Sequence, residues 1–436
     1  MATDGDRDRA AERPRRAASE AARAPARVRV FDLALSLGLL VALAPLWLAR
    51  GVLALARTGQ VFERVELLGR DRRPFARLAF AGPMVGRALA VLFNVVRGDM
   101  AFAGPRPLAV AEAAAVPAEA ERRFDARPGV FSPHQLQRRV GIAHDAEWAS
   151  DRAFLERPSL RASLGLIVRS LVAGLLGGGE RPAPPSLDFF GVPITNTTMD
   201  EAVDWIVARA AASGGDPRAA KSLLAFVNPD CLNIAHDNPR YRTVLQRAAR
   251  VLPDGIGLHI GCRMRGLALA ANVNGTDLFP RLCERAAREG LPLFLLGARP
   301  GIADLVAENM RRSHPHLIVA GTGHGYFEPS EESGLIARIN ESGARILLVA
   351  FGVPRQELWL ADHHDLLRPP VRIGVGGLFD FYSGRIPRAP LWMREIGLEW
   401  VWRLSREPGR MWRRYLLGNP LFLYRVWRQA RLEVRG

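Results

Sequence analysis

The sequence lacks the patterns that mark several common classes of protein. It has three cysteines in 436 residues, Cys231, Cys262 and Cys283, and no Cys-x-x-Cys spacing. This argues against a disulfide framework and a structural zinc site, and it fits a reducing compartment. Lys221 is the only lysine, so the formal charge of +16 comes almost entirely from arginine. No Gly-x-Gly-x-x-Gly pattern opens a helix, which argues against a nucleotide-dependent oxidoreductase.

What the sequence does contain is a large positive charge and enough apolar residues for a sizeable core. Hydrophobic residues make up 48% of the chain, and its length predicts two domains with appendages. The charge suits an anionic partner, such as nucleic acid, an anionic membrane surface or a phosphorylated substrate. Because many arginines cluster with tryptophans near the C-terminus and form no recognised nucleic-acid motif, we expect no nucleic-acid partner.

The first 57 residues predict a tail followed by a membrane-associated helix. Residues 1–30 are rich in Arg, Ala and acids, which is typical of a disordered tail. Residues 31–57 contain about 17 consecutive uncharged residues, which is short for a spanning helix, and Pro45 would bend it. A re-entrant helix that enters the bilayer and returns to the same face fits this pattern. A buried core helix is the alternative.

The rest of the chain divides at a Gly- and Pro-rich stretch. Residues 174–187 read as a linker, so we predict an α-rich, membrane-associated domain over 31–173. From 188 to 390 short apolar strands alternate with helices, which predicts an α/β domain with a Rossmann-like parallel sheet flanked by helices. The predicted strands lie at 222–227, 250–252, 291–297, 316–323, 344–352 and 371–377, and the main helices at 231–250, 300–314 and 331–343.

Residues 391–436 predict a basic, aromatic, helical appendage. They contain five of the nine tryptophans, Trp392, Trp400, Trp402, Trp412 and Trp427, interleaved with arginines. This composition suits a membrane–water interface. A helical hairpin packed on the catalytic domain is the alternative, and the two are compatible. Burial of the appendage by a second copy would make a homo-oligomer, and the sequence leaves this open.

Polar residues follow the predicted strands, which is where a parallel sheet binds its ligands. They include Asn228, Asp230, Asp254, Arg299, Arg355, Gln356, Asp380, Arg385 and Arg388. Arginines can hold a diphosphate, and amides and carboxylates can hold sugar hydroxyls. Since no Asp-x-Asp motif follows a strand in this domain, we expect no metal and no other cofactor.

The stretch PDGIG places Asp254 at the end of a strand, where two roles are open. A carboxylate there can act as a general base. It can instead cap the helix that begins in GIGLHIGCRM. The residues alone favour neither role.

Motifs between residues 188 and 425 carry a family resemblance. They are GVPITNTTMDEAV, VNPDCLNIA, LPDGIG, NGTDLFP, FLLGARPG, GHGYF, FGVPRQELW, IGVGGLFDFYSGRIPRAP and GLEWVWRLSREPGRMWRRYL. In this order they resemble the WecG/TagA/CpsF glycosyltransferases, glycosyltransferase family 26. The resemblance implies an inverting transfer from a UDP-sugar, usually UDP-N-acetylmannosamine or its uronic acid, to a sugar on polyprenyl diphosphate. It also implies an appendage that reaches the membrane and closes over the active site.

The resemblance assigns roles to individual residues. Asp254 occupies the position of the family's proposed general base, and Asn228 and Gln356 match positions that line the sugar-nucleotide pocket. The predicted substrate-binding residues are Asn228, Asn274, Thr276, Asp277, Gly297, Arg299, Gln356, Asp380 and Arg388. At the NGTD stretch a helix cap is an alternative to ligand contact. Phe226 and Asn272 replace a threonine and an arginine of many members, which leaves the donor's identity open.

The N-terminal part has a separate resemblance. The stretches FDLALSLGLLVALAPLWL, VFERVELLGRDRRPF and NVVRGDMAFAGPRPL are similar to bacterial sugar transferases, which move a sugar-1-phosphate to polyprenyl phosphate. That chemistry depends on an Asp-Glu pair, and here its positions fall on Arg87 and Ala88. The family's KFRTM stretch has become AFAGP (79–83). We therefore expect a degenerate domain that keeps the membrane anchor, and a lipid-phosphate site at Arg97 and Arg106, without covalent phosphoryl transfer.

The sequence thus predicts a UDP-sugar-dependent glycosyltransferase on the cytoplasmic face of the bacterial inner membrane. Its partners would be a UDP-sugar, a polyprenyl-diphosphate-linked glycan and membrane lipids, in surface or exopolysaccharide synthesis. Two alternatives are a bifunctional enzyme that also transfers sugar-1-phosphate, and a non-catalytic membrane scaffold.

Overall fold

The computed structural model describes residues 25–82, 86–140, 147–176, 182–212 and 222–433. Most of the predicted tail therefore lies outside the described residues, and so do residues 177–181 of the predicted linker and Pro83 of the AFAGP stretch. The chain divides into two compact units near residue 175. Where the tail and linker end remains a prediction.

The N-terminal unit is rich in helices, as predicted, but it also contains two pairs of strands. Its helices are α1 Ala26–Ala42, α2 Ala44–Thr58, α3 Val91–Arg97, α4 Val110–Ala114, α5 Pro133–Val140, α6 Glu147–Leu155 and α7 Leu160–Leu176. Its strands are β1 Phe62–Leu68, β2 Pro74–Phe80, β3 Ala101–Ala103 and β4 Gly129–Phe131. The first pair is an antiparallel hairpin and the second pair is parallel.

Helices α1 and α2 form the predicted bent pair. They meet at Leu43 with a bend of 71°. Pro45 lies in the first turn of α2, where its missing N–H costs no helical hydrogen bond. The Trp47 indole donates to the Leu40 carbonyl at 2.8 Å, which ties the two helices across the bend. Helix α1 begins at Ala26, earlier than predicted, because alanine and arginine favour a helix after Pro25.

The exposed surface of the bent pair is apolar. Its exposed aliphatic residues are Val30, Leu37, Val41, Leu46, Leu48, Val52 and Leu55. Across the described residues, no individual helix has both the length and the apolar character to cross a bilayer, whereas α1 and α2 taken together do. This is a criterion of length and composition, so entry into a membrane remains a prediction.

A buried asparagine holds the α/β part of the N-terminal unit together. The Asn94 amide accepts from the Leu78 N–H and donates to the Ala76 carbonyl, both at 2.8 Å, which joins α3 to β2. Its nitrogen also donates to Asp99 at 3.1 Å. Each of these bonds satisfies a group that burial would otherwise leave unpaired. None of these three hydrogen bonds involves Arg87 or Ala88, the two positions expected to be acidic.

The C-terminal unit contains the predicted parallel sheet. A hairpin, β5 Ser186–Phe189 and β6 Val192–Thr195, precedes it. The sheet strands are β7 Ser222–Val227, β8 Arg250–Pro253, β9 Leu293–Gly297, β10 Val319–Gly323, β11 Ile346–Ala350 and β12 Val371–Gly374. All their pairings are parallel, in the order β10-β9-β11-β12-β7-β8. The predicted fold class is confirmed, and each predicted strand lies within a few residues of an observed one.

Apolar side chains on both faces of the strands explain why helices cover the sheet on both sides. In β7, Leu224 and Phe226 pack into one core cluster, whereas Ala225 and Val227 pack into another. Side chains alternate between faces along a strand, so a strand that is apolar at successive positions needs a hydrophobic partner on each face.

Helices connect the strands. They are α8 Met199–Ala212, α9 Pro229–Asp237, α10 Pro239–Arg247, α11 Ile256–Met264, α12 Gly275–Glu289, α13 Ile302–Ser313, α14 Glu332–Glu341, α15 Arg355–Asp362 and α16 Leu378–Tyr382. The helix predicted at 231–250 is two helices. Asn238 ends α9 and caps α10 through the Tyr241 N–H, and Pro239 cannot continue the hydrogen bonding of α9.

The appendage packs on the C-terminal unit. It comprises α17 Leu391–Glu395, α18 Glu399–Arg406, α19 Pro408–Trp412, a π-helical turn Arg413–Gly418 and α20 Asn419–Glu433. Phe422 and Val426 of α20 are fully buried in the core beside Phe189. Arg425 bonds the Asp237 carboxylate at 2.8 Å, and Arg265 bonds Glu433 at 2.7 Å. The appendage therefore packs on the catalytic domain, as the alternative predicted, and Trp392, Trp412 and Trp427 are exposed. Membrane contact by the appendage remains a prediction.

Candidate active site

A cavity of about 300 Å³, which we call the main pocket, lies at the carboxyl ends of β7, β8 and β12. Asp254 follows the last residue of β8, and its N–H bonds the carbonyl of Val227, the last residue of β7, at 2.8 Å. Two adjacent strand ends therefore fix the backbone of this aspartate. Its carboxylate lines the pocket.

Asp254 does not cap the following helix. The N-cap of α11 is Gly255, which adopts a φ of 95°, and no side chain makes a capping hydrogen bond there. Gly257 in the first turn is required by packing, since a Cβ there would lie 2.4 Å from Pro229. The capping interpretation of Asp254 is thus wrong, and its catalytic role remains a prediction.

The surroundings of Asp254 favour a carboxylate that can take up a proton. Burial raises its pKa, while the guanidinium groups of Arg414 and Arg403 and a hydrogen bond from Asn228 oppose that rise. The side chain is enclosed by protein but open to the pocket. A carboxylate with a raised pKa is a stronger base than an exposed aspartate once it is ionised.

Asn228 has a structural role besides lining the main pocket. Its oxygen accepts from the Asp230 and Cys231 N–H groups, each at 3.1 Å, and so caps α9. Its amide also bonds Asp254. One side chain thus fixes the start of α9 and orients the carboxylate beside it.

The NGTD stretch forms a helix cap at the edge of the main pocket. The Asn274 oxygen accepts from the Asp277 N–H and from the Thr276 hydroxyl, both at 2.8 Å, and its nitrogen donates to the Asp277 carboxylate. Asp277 is only 1% exposed and pairs with Arg388 at 2.6 Å and with Arg394 at 3.3 Å. Because these polar groups bond one another, they form part of the pocket wall. Asp277 is therefore poorly placed to act as a base.

Gln356 joins two loops of the main pocket. Its oxygen accepts from the Gly352 N–H at 3.2 Å and from the Gly376 N–H at 2.9 Å. Its nitrogen donates to Glu357 at 2.7 Å. Burial raises the pKa of Glu357 to about 7. Gln356 is 1% exposed, so this geometry gives it a positioning role in the pocket wall.

A second pocket of about 450 Å³ contains Arg299 and Asp380. It lies at the carboxyl ends of β9 and β11, which are neighbours whose connections leave in opposite directions, the usual place for a ligand in such a sheet. Asp380 pairs with Arg385 at 2.8 Å. Gly297 allows a close approach between two backbone segments, since a Cβ there would lie 2.6 Å from the Ala350 carbonyl oxygen.

The appendage supplies residues of the main pocket that the sequence did not reveal. Those that line it are Arg394, Gly397, Glu399, Trp400, Arg403, Arg410, Arg414, Tyr415 and Asn419. Trp400 packs against Tyr415 with ring centroids 5.8 Å apart, and the Trp402 indole donates to the Pro387 carbonyl at 2.9 Å. Two of the tryptophans expected at a membrane therefore contact the protein. The only sequence signal for these pocket residues was the alternation of Arg and Trp, and we interpreted it as a membrane–water interface.

A parallel α/β sheet with a charged pocket beyond its strand ends is the usual ligand-binding arrangement of α/β proteins. Residues 187–435 match the model of the glycosyl transferase WecG/TagA/CpsF family, and residues 87–177 match that of the bacterial sugar transferases. The first match covers more than half of the chain. The chain therefore belongs to the WecG/TagA/CpsF family and is a glycosyltransferase, as the sequence predicted. The second match begins at Arg87 and does not include the bent helix pair.

Proposed function

We propose that the C-terminal unit transfers a sugar from a UDP-sugar, of the N-acetylmannosamine or N-acetylmannosaminuronic acid type, to a polyprenyl-diphosphate-linked acceptor with inversion. The observation that carries this proposal is the Asp254 carboxylate, which faces an arginine-lined pocket and is not used to cap a helix. An inverting transfer needs a base for the acceptor and positive charge for the leaving diphosphate. The main pocket offers both.

The two pockets together fit a nucleotide sugar. They share Gly352, Gly376, Gly377 and Arg410, so they are neighbouring parts of one cleft. Gly352 and Gly376 have positive φ, and no heavy atom lies within 4 Å of a Cβ built on either. This shared rim therefore has room for a ligand. We place the nucleoside in the second pocket, the sugar in the main pocket and the diphosphate beside Arg410.

In this arrangement each group has one task. Asp254 accepts the proton of an acceptor hydroxyl as that oxygen attacks the anomeric carbon. The bond from the anomeric carbon to the diphosphate oxygen breaks, and UDP leaves with the electron pair. Arg403, Arg410 and Arg414 offset the charge that develops on UDP. Since attack and departure occur on opposite faces of the sugar, the anomeric configuration inverts.

We propose that the N-terminal unit is a degenerate sugar transferase domain that contacts membrane lipids on the cytoplasmic face. Arg87 stands at the first expected acid, and it pairs with Glu63, which also accepts from the Gly82 N–H at 3.0 Å. Ala88 at the second position has no nucleophile. Of the two arginines predicted to bind lipid phosphate, Arg106 pairs with Glu112 at 3.2 Å. The exposed apolar face of α1 and α2 supports contact with lipid.

The test is the identity of the nucleotide that the full-length protein releases when membranes supply the lipid-linked acceptor. A panel of UDP-sugars should give UDP with one sugar or a closely related group. UMP would instead report sugar-1-phosphate transfer and favour the bifunctional alternative. If no sugar turns over and calorimetry detects no binding of UDP, the glycosyltransferase proposal fails and the scaffold alternative is favoured.

A further inference from the structure

Glu399 is a carboxylate of the main pocket that the proposed reaction does not use. It is the first residue of α18 and lines the same cavity as Asp254. Among the described residues, none forms a hydrogen bond or an ion pair with its side chain. An acid at a helix N-terminus can serve the helix dipole alone, but it does so from solvent equally well. Here the carboxylate faces a ligand cavity instead.

Most of the other charged residues of the main pocket take part in ion pairs. Asp277 pairs with Arg388 and Arg394, and Asp230 lies 3.6 Å from Arg414. Arg410 pairs with Glu407 at 3.3 Å. These pairs leave two carboxylates of the pocket, Asp254 and Glu399, without a direct ion pair.

A bound diphosphate would leave these two carboxylates with less compensating positive charge. Its negative charge would engage Arg403, Arg410 and Arg414, which also partly compensate the acids of the pocket. The sugar end of the cleft would then present the carboxylates of Asp254 and Glu399, and the remaining arginine of the pocket, Arg394, already pairs with Asp277. The wall residue Asn272 adds none, since it is neutral and its oxygen accepts from the Gly255 N–H at 2.7 Å.

We infer that Glu399 is a specificity-determining ligand of the transferred sugar. Its carboxylate accepts hydrogen bonds from hydroxyl or N–H groups of a neutral sugar, and it disfavours a donor whose sugar carries its own carboxylate. This inference rests on the proposed function and narrows its donor to the neutral class.

The electrostatic environment of Glu399 agrees with this role. Burial raises its pKa, and the charges of Asp277 and Asp254 raise it further, whereas Arg388 and Arg394 lower it. An additional anion at this place would be repelled by both carboxylates. A hydroxyl or amide donor would stabilise the ionised form of Glu399 instead.

The experiment compares two matched pairs of donors that differ only in a carboxylate at C6. They are UDP-N-acetylmannosamine with its uronic acid, and UDP-glucose with UDP-glucuronic acid. Dissociation constants are measured by calorimetry for the full-length chain, for Glu399→Gln and for Glu399→Asp, with UDP alone as the check that the nucleotide site is intact. Glu433→Gln is the control, because it removes an appendage carboxylate that pairs with Arg265 away from the pocket.

We expect the wild-type protein to prefer the neutral member of a pair. Glu399→Gln should lower the ratio of neutral to anionic affinity by about 10- to 100-fold, the effect of one hydrogen bond to a charged group. UDP affinity should stay the same, Glu399→Asp should restore part of the preference, and Glu433→Gln should retain all of it.

Two results would overturn the inference. If UDP binds normally and the ratio is the same in wild type and Glu399→Gln, or if wild type prefers the uronic acid, Glu399 does not select the sugar. If the wild-type chain binds neither UDP nor any donor, the proposed function fails and this inference fails with it.

Discussion

Asp254 in the C-terminal unit and Arg87 in the N-terminal unit both stand at positions where the family resemblance predicts a reactive carboxylate. Asp254 is held by the ends of two strands, hydrogen-bonded by Asn228 and open to a pocket. Arg87 is exposed and pairs with Glu63. The N-terminal fold is held by other contacts, such as those of the buried Asn94. This contrast supports the proposal that the N-terminal unit is a sugar transferase domain without reactive carboxylates.

A similar contrast exists within the C-terminal unit. Asp254 and Asp277 both line the main pocket. Asp277 is bound by two arginines and a helix N-terminus, whereas Asp254 has no direct ion pair. The polar atoms of Asp277 are therefore engaged in the pocket wall, whereas Asp254 lines the pocket without an ion pair, as the proposed base requires.

The largest effect on stability should come from Asp277. Asp277→Ala leaves Arg388 and Arg394 without their buried partner, so we expect the free energy of unfolding to fall by about 3 kcal/mol or more. Asp380→Ala breaks only the partly exposed pair with Arg385 and should cost about 1 kcal/mol or less. Urea denaturation followed by tryptophan fluorescence measures the free energy of unfolding of both variants. Equal losses of stability would show that the buried ion pairs of Asp277 do not hold the pocket wall together.

A change in pH dependence should follow from Arg414. The base must be ionised, so kcat/KM should fall as the pH drops through the pKa of Asp254, which burial places above the ordinary value of 3.8. Arg414 holds that pKa down. Arg414→Gln should therefore move the acidic limb of the pH profile to higher pH, and a limb that stays in place would argue that another group is the base.

Membrane contact should depend on the exposed face of the bent helix pair. Val52→Glu places a charge on that face, where Val52 is 70% exposed, and should weaken binding to anionic vesicles by about tenfold or more. Turnover of a soluble acceptor analogue should not change. Val110→Glu, on α4, is the matched control. If both variants sediment with vesicles like wild type, the bent pair does not contact lipid.

The smallest effect should come from Arg87. Arg87→Ala removes a surface ion pair and should change the free energy of unfolding by about 1 kcal/mol or less. UDP release should continue at the wild-type rate, because no step of the proposed reaction uses this residue. A marked loss of turnover would mean that the N-terminal unit takes part in the transfer.

Much of the catalytic fold could be predicted from the sequence because its signals are local. Apolar runs in the sequence predicted strands β7 to β12. Because parallel strands end at the same edge of a sheet, they also predicted that Asn228 and Asp254 lie close together. The N-terminal hairpin β1–β2 was missed, although its residues pair along both strands. The break at Asn238 and Pro239 was also missed, and there the signal was present in the sequence.

The appendage residues of the site could not be predicted in the same way. Glu399 and Arg414 reach the main pocket because the appendage packs on the domain, where Phe422 and Val426 anchor α20 in the core. That packing joins segments far apart in the chain, and no periodicity or spacing encodes it. The sequence also assigned ligand contact to Gln356 and Asp277, whose side chains are occupied by neighbours. These hydrogen bonds and ion pairs can be recognised only from the three-dimensional positions of the partner residues.

The most direct test of the central claim is turnover by Asp254→Asn, with UDP affinity measured on the same preparation. Asparagine keeps the shape of the side chain but cannot accept the proton. We predict that kcat falls by about 100- to 10,000-fold while UDP still binds. Asp362→Asn, which removes an exposed partner of Arg240, should turn over normally. Normal turnover by Asp254→Asn would contradict the account and require the base to be sought elsewhere.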